Sequence, residues 1–383
     1  MDSKNSYGVT YMKTTAHHAI KIGWKTVGLG QPVFIIAEAG VNHNGNLAFA
    51  KKLVDAAKDA GADAVKFQTF NPDTLVIKNA EKAEYQEGNE RNPSRLRRRV
   101  LPFEKGELKT ESQYEMLKRL MLPREYHSEL KKYAEKKGII FLSTPFSLSD
   151  AEFLRELGVP GLKIGSSDTD NIPFLRTVAS WKLPLILSTG MSDLPLVRAA
   201  VEAIRQAGNE KLIVLHCTTN YPAPIREVNL RAMQTFALEL DVLVGFSDHT
   251  TSIIAPVLSV ALGACVIEKH LTLDKTMAGP DHGTSLNPHE FTEMVRAVRD
   301  AEYALGTGEK TIFGSEKEIA KVARKSLVTS HAVKKGDVFT AKNLTTKRPG
   351  MGLSPALYDS IAGTKATSDI PADTLITKND YAA

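Results

Sequence analysis

Cysteine is nearly absent from this chain of 383 residues. The two present, Cys217 and Cys265, both sit inside apolar, strand-like runs. Two buried thiols exclude a disulfide-stapled scaffold, argue against a thiolate metal centre, and suit a reducing, cytoplasmic setting. Long hydrophobic runs are missing too. No stretch approaches the ~18 apolar residues of a membrane-spanning helix, and residues 1–31 lack the continuous apolar core of a signal peptide, so neither membrane nor secretion is expected. Charge of one sign is also scarce, with 49 basic against 44 acidic side chains and a formal net charge of +5. That balance does not point to nucleic acid, though it is compatible with a small anionic substrate. What remains, 42% hydrophobic and 24% charged residues, describes an ordinary globular protein long enough for about two domains.

From Pro32 onward, short β-branched apolar runs alternate with amphipathic helical stretches. The runs are VFIIAEA (33–39), DAVKFQT (63–69), GIIFLST (138–144), GLKIGSS (161–167), PLILSTG (184–190), KLIVLHCT (211–218), VLVGFSD (242–248) and CVIEKH (265–270). Helices are expected between them, for example over 47–60, 125–137 and 288–305. Eight βα units within one domain of this length predict a closed (β/α)8 TIM barrel over residues 32–305 rather than an open doubly wound sheet. Residues 1–31 read as a polar N-terminal arm, with His17-His18 as solvated side chains. The connection from Phe70 to about Met121 is unusually long and carries the basic segment SRLRRRV (94–100), read as a solvated charged face. After a Gly, Thr and Lys-rich linker at 306–322, short β runs predict a separate small domain over 323–383.

The histidines organise the functional reading. Residues 242–270 hold two apolar runs ending in Ser247-Asp248-His249 and Glu268-Lys269-His270, so successive parallel strands bring both histidines to one end of the sheet. At the carboxyl ends of barrel strands two imidazoles are close enough to share a metal; either one alone would read equally well as a strand cap, and the repetition favours a site. The other strand ends contribute Glu38, then Lys66 and Gln68 on one face by two-residue alternation, then Lys163, Ser166, Ser167 and Asp168, then Ser188, then Thr218, Thr219 and Tyr221. Two lysines among hydroxyls suit a phosphate or carboxylate ligand, and carboxylates at Glu38, Asp168 and Asp281 suit proton transfer or contacts to sugar hydroxyls.

Several longer motifs, in order, resemble the sialic acid synthases: FIIAEAGVNHNGN (34–46), GADAVKFQTF (61–70), FLSTPF (141–146), LSTGM (187–191), GFSDHT (245–250), VIEKHLTLDKTMAGPDH (266–282) and NLTTKRPGMGLSP (343–355). The resemblance implies a barrel followed by a small antifreeze-like (SAF, β-clip) domain. It also implies condensation of phosphoenolpyruvate with N-acetylmannosamine and water, giving N-acetylneuraminic acid and phosphate. By the same resemblance Lys66, Lys163, Ser166, Ser188 and Ser247 would bind phosphoenolpyruvate, and His249 and His270 would hold Mn2+ or Mg2+. Gln68, Thr219, Tyr221, Asp281 and Arg348 would bind the sugar, with Arg348 supplied by the partner in a domain-swapped homodimer. Asp168 stands where Glu is frequent in the bacterial proteins, and Thr219 where Asn occurs.

The implied chemistry is attack of C3 of the enol phosphate on the aldehyde carbon, addition of water at C2, and loss of phosphate by C–O cleavage, with Glu38 and Asp168 as the proton-transfer candidates. A legionaminic acid or other nonulosonic acid synthase is the alternative within the class. A non-catalytic carbohydrate-binding protein is the alternative outside it, although a binder has no use for two lysines, two histidines and three carboxylates at one barrel mouth.

Overall fold

The computed structural model describes residues 19–82 and 112–382. His17-His18 and the arginine-bearing segment 94–100 lie outside them. The chain divides into two compact units, Met1–Gly308 and Glu309–Ala383. No helix among the described residues is long and apolar enough to cross a membrane.

The first unit opens with an antiparallel hairpin, β1 (Ala19–Ile22) and β2 (Lys25–Gly28). Eight parallel strands follow: β3 (Phe34–Gly40), β4 (Ala64–Thr69), β5 (Ile140–Pro145), β6 (Leu162–Ile164), β7 (Leu185–Ser188), β8 (Leu212–Cys217), β9 (Leu243–Asp248) and β10 (Val266–His270). Their hydrogen-bonded order is β5-β4-β3-β10-β9-β8-β7-β6, and β5 lies beside β6, so the sheet curls into a nearly closed barrel. All eight expected runs are strands, with ends within two residues of those expected except at the fourth. The fourth shortens most, because its last residues, Ser166–Asp168, turn into a 3-10 helix.

Two-residue alternation sorts these strands into two cores. Ile35, Val65, Phe141, Ile164, Leu187, Val214, Phe246 and Ile267 face the surrounding helices. Phe34, Ile36, Ala64, Leu142, Ile186, Ile213, Leu243 and Val266 fill the barrel interior, and Ile20, Ile22 and Val27 of the hairpin join that inner cluster. Residues 19–28, expected to be a solvated arm, therefore plug the amino-terminal end of the barrel. Exposed Lys21, Lys25 and Thr26 give this stretch its polar look, while Ile20, Ile22 and Val27 are buried. A packed floor leaves the carboxyl ends of the strands as the open end.

Helices start where their caps predict. Asn46 caps Leu47–Asp59 through its side chain, and Asn287 with Glu290 forms a capping box at Pro288–Leu305. Residues 314–322, expected to be linker, lie instead in a helix (Gly314–Ala323), with Glu316 accepting from the Phe313 N–H. The second unit has its own core of Leu327, Val333, Phe339, Leu344, Ile361, Ile370 and Ile376. It pairs β11 (Ser326–Thr329) with β12 (Leu344–Lys347) and β13 (Lys365–Ala366) with β14 (Tyr381–Ala382). Arg348 is exposed just past the end of β12.

Candidate active site

At the carboxyl end of the barrel the inward positions change from apolar to charged. Continuing the inner rows, Ile36 is followed by Glu38, Ala64 by Lys66 and Gln68, and Val266 by Glu268 and His270, while Lys163 takes the inward position between the outward-facing Leu162 and Ile164. Register aligns them: Glu38 is level with Lys66 on one side and with His270 on the other, while Glu268 is level with Ser247. They line one cavity of about 440 Å³, shared with Ser166, Ser188, Cys217, Thr219, Tyr221, Ser247, His249 and Asp281.

The floor is a charge lattice of two buried lysines and two buried carboxylates. Lys66 Nζ lies 2.7 Å from Glu38 Oε2, 2.7 Å from Thr144 Oγ1 and 3.8 Å from Glu268 Oε2. Lys163 Nζ donates to Ser188 Oγ at 2.6 Å and lies 3.5 Å from Glu268 Oε1, which also accepts from Ser247 Oγ at 3.0 Å. Glu268 thus bridges the two ammonium groups. Burial favours its acid form, yet Lys163 and Lys66 outweigh that and hold it ionised, below the usual carboxylate range. Its Oε2 has no hydrogen-bond partner among the described residues. Burial likewise works against the charge on Lys66, but Glu268 and Glu38 outweigh it and raise the amine. Lys163, where burial dominates, is lowered.

Glu38 behaves differently. Burial pushes its carboxyl up to about 7 against the pull of Lys66, so it exchanges a proton near neutral pH. Gln68 Nε2 sits 3.3 Å from its Oε1. Gly40, at φ 51°, occupies the space beside it; a Cβ there would come within 3.3 Å of Glu38 Oε1 and 3.6 Å of Asp281 Oδ2, which shows how closely the two carboxyls converge. Burial also raises Asp281, to about 6.

The histidine pair faces this lattice. The His249 and His270 rings are 5.5 Å apart, with Tyr221 edge-on to His270 and against His249 at 4.1 Å. His249 Nδ1 is 2.9 Å from the Thr218 carbonyl, which can only accept, so that nitrogen carries the proton and Nε2 presents its lone pair toward the Tyr221 hydroxyl at 3.0 Å. Burial disfavours an imidazolium here, but Cys217, whose Sγ is 3.8 Å from Nδ1, outweighs it and raises His249; the thiol, pushed up by its own burial, is drawn down to about 7 by the same contact. His270 is held well below the ordinary range by burial and by His249, so it is neutral; its buried Nδ1 has no hydrogen-bond partner among the described residues and lies 3.8 Å from Asp281 Oδ2. The two adjacent imidazoles could share a divalent cation when both are neutral. Among the described residues no group of three or more His, Cys, Asp or Glu side chains is arranged to hold a metal ion.

Ser166 and Thr219 are placed by close packing. The Gly190 N–H donates to Ser166 Oγ at 2.9 Å, and a Cβ at Gly190 would fall 1.8 Å from Thr219 Oγ1. Asp168 is not among the cavity's lining residues; its carboxyl accepts from Asn171 and Ser167 and restrains the turn before the next helix. Ser167 lines the cavity, whereas Thr218 Oγ1 donates to the Glu227 carbonyl. Arg348 belongs to the second unit. The residue missing from the sequence reading is Glu268. Its signal was available, since it precedes His270 by two positions on the same strand and must face the same way.

The sequence matches the NeuB family over residues 53–310 and the SAF domain over 324–382. It is 46% identical to N,N'-diacetyllegionaminic acid synthase of Legionella pneumophila over 92% of this chain and 96% of that protein. It is 44% identical to the Campylobacter jejuni enzyme of the same name over 89% and 98%. Among solved structures, N-acetylneuraminic acid (sialic acid) synthetase from Leptospira borgpetersenii, in complex with citrate, superposes with a TM-score of 0.65 at 34% identity, over 79% of this chain and 95% of that one.

Proposed function

Because this chain belongs to the NeuB family of sialic and related nonulosonic acid synthases, we propose that it condenses phosphoenolpyruvate with the open-chain aldehyde of a 2-acetamido sugar, forming a nine-carbon acid and phosphate. The observation that carries the reading is the buried Lys66–Glu268–Lys163 bridge facing the His249–His270 pair across one cavity. A dianionic phosphate and a carboxylate need both ammonium groups, with Ser166, Ser188 and Ser247 as hydroxyl donors. The sugar then lies toward Gln68, Thr219, Tyr221 and Asp281. His249 and His270 would hold Mn2+ or Mg2+, which when bound supplies Lewis acidity to the aldehyde oxygen.

The residues divide the proton work by environment. Glu38, ionised above about 7, takes the proton from water as it adds at C2. Lys66, fixed between Glu38 and Thr144, holds the enol phosphate so that C3 faces the aldehyde carbon. Asp168 steadies the Ser166 turn in this scheme, which leaves Glu38 to move the proton.

For the sugar, the relatives at 46% and 44% identity favour the 2,4-diacetamido-2,4,6-trideoxy hexose whose condensation gives N,N'-diacetyllegionaminic acid. N-acetylmannosamine is the second reading, favoured by the Leptospira structure. Phosphate release measured with both sugars tests the assignment. We expect turnover with phosphoenolpyruvate only when an acetamido aldehyde sugar is present, and faster with the diacetamido one; release without sugar would refute it.

Lys66→Ala and Lys163→Ala are expected to raise KM for phosphoenolpyruvate roughly ten- to hundredfold, since each removes a charge-assisted contact worth about 1.5–3 kcal/mol. Steady-state kinetics with each substrate varied checks this; a rise confined to the sugar KM would reverse the two subsites. Arg348 we assign to the N-acetyl group in the barrel of a partner chain. Subunit exchange between His249→Ala and Arg348→Ala chains is then expected to restore about half the activity per dimer, because one hybrid site is intact. Mixed dimers without recovery would remove Arg348 from the site.

A further inference from the structure

The cavity has an apolar side that the chemistry above leaves unused. Val41, Phe70, Met116 and Leu120 form a hydrophobic cluster separate from the two barrel cores, with Leu75, Leu117 and Phe146 packed against it. Most of these side chains also line the cavity, together with Val76 and, at its edge, Met191. They come from the turns after β3, β4 and β5 and from the helix Gln113–Leu120. Tyr221, His249, His270 and Asp281 lie instead on or after β8, β9 and β10. Among the described residues of these turns and this helix, the polar group lining the cavity is the Gln113 amide, with Gln68 on β4 and Thr144 on β5 at the strand ends beside them. Leu75, Val76 and Leu117 are only half-buried, which leaves apolar surface to be covered by a ligand.

Resting on the proposed condensation, we infer that this wall, chiefly Leu75, Val76 and Leu117, selects the far end of the sugar, accepting a methyl group at C6 and disfavouring a hydroxymethyl group. The aldehyde carbon must sit at the histidine pair and phosphoenolpyruvate at the lysine floor. The sugar chain then extends away from the strand ends, and its last carbon reaches the apolar side. A hydroxyl placed there leaves water for a surface with few partners, whereas a methyl gains contact. Discrimination of this kind is worth roughly ten- to a hundredfold in kcat/KM.

The test compares N-acetylmannosamine with its 6-deoxy derivative, a pair differing at C6 alone, by phosphate release from the full-length protein with Mn2+. The wild type is expected to prefer the 6-deoxy sugar by roughly ten- to a hundredfold in kcat/KM. Val76→Thr and Leu117→Asn each place a polar group in the wall and are expected to cut that preference by about tenfold, with KM for phosphoenolpyruvate unchanged as the check on folding. A ratio near one in the wild type, or the same ratio in both variants, overturns the assignment of the wall while leaving the condensation intact. Absence of turnover with either sugar and with the diacetamido sugar overturns the condensation itself, and the wall with it.

Discussion

His270→Ala loses phosphate release by about a thousandfold or more, at saturating phosphoenolpyruvate and sugar, and added Mn2+ does not restore it. A lost metal ligand removes several kcal/mol of carbonyl polarisation, and about 4 kcal/mol is already a factor of roughly 10³. His249→Ala behaves the same way, for the added reason that Thr218 fixes the ring with Nε2 toward the cavity. Neither variant should unfold the protein. The inner cluster under the site, with the hairpin that closes it, is untouched, and Nδ1 of His270 has no hydrogen bond among the described residues to lose. Thermal melts within about 1 kcal/mol of wild type are expected. Full activity of either variant, or of wild type after exhaustive chelation, would contradict the role given to the pair.

Glu38→Gln is the second severe case, and it separates proton transfer from binding. The amide keeps the shape and loses the base, so kcat should fall by roughly 10²–10⁴. Removing a negative charge beside the phosphate pocket should leave KM for phosphoenolpyruvate unchanged or lower it. The wild-type pH profile carries the sign. Glu38 is raised to about 7 mainly by burial, and below that value it holds its proton and cannot accept one, so kcat should drop about tenfold per unit on the acid side and level off above. A variant with reduced activity that keeps the same acid limb would assign the titration to another group, Asp281 first among them.

The barrel was legible because alternation of period two, interrupted at polar strand ends, survives in every strand. The same pattern gathers Glu38, Lys66, Lys163, Ser188, His249 and His270 at one end of the sheet, where they line one cavity. Where the reading went astray, the missing information was tertiary. Residues 19–28 look polar because the large side chains buried there are just Ile20, Ile22 and Val27, and nothing local says that they plug a barrel. The helix Gly314–Ala323 buries no residue within its own unit, so no apolar stripe facing a core marked it. Glu268 is legible only once the Glu-Lys-His run is placed inside the strand, where a period of two sets it on the face of His270. Its neighbour Lys269 points the other way and pairs with buried Asp248 behind the sheet. Asp168 was assigned to catalysis as a strand-end carboxylate, but strand β6 ends at Ile164 and the 3-10 turn gives the carboxyl to Asn171. The apolar wall is assembled from three loops and a helix, and no single stretch of sequence announces it.

In the proposed reaction this cavity joins phosphoenolpyruvate to an acetamido aldehyde and expels phosphate with its bridging oxygen. Phosphoenolpyruvate carrying 18O at that bridging position, incubated with Mn2+ and the diacetamido sugar, tests it through the isotopic composition of the released phosphate. The label is expected to leave in the phosphate, and only when sugar is present. Unlabelled phosphate, or labelled phosphate formed without the sugar, would contradict it.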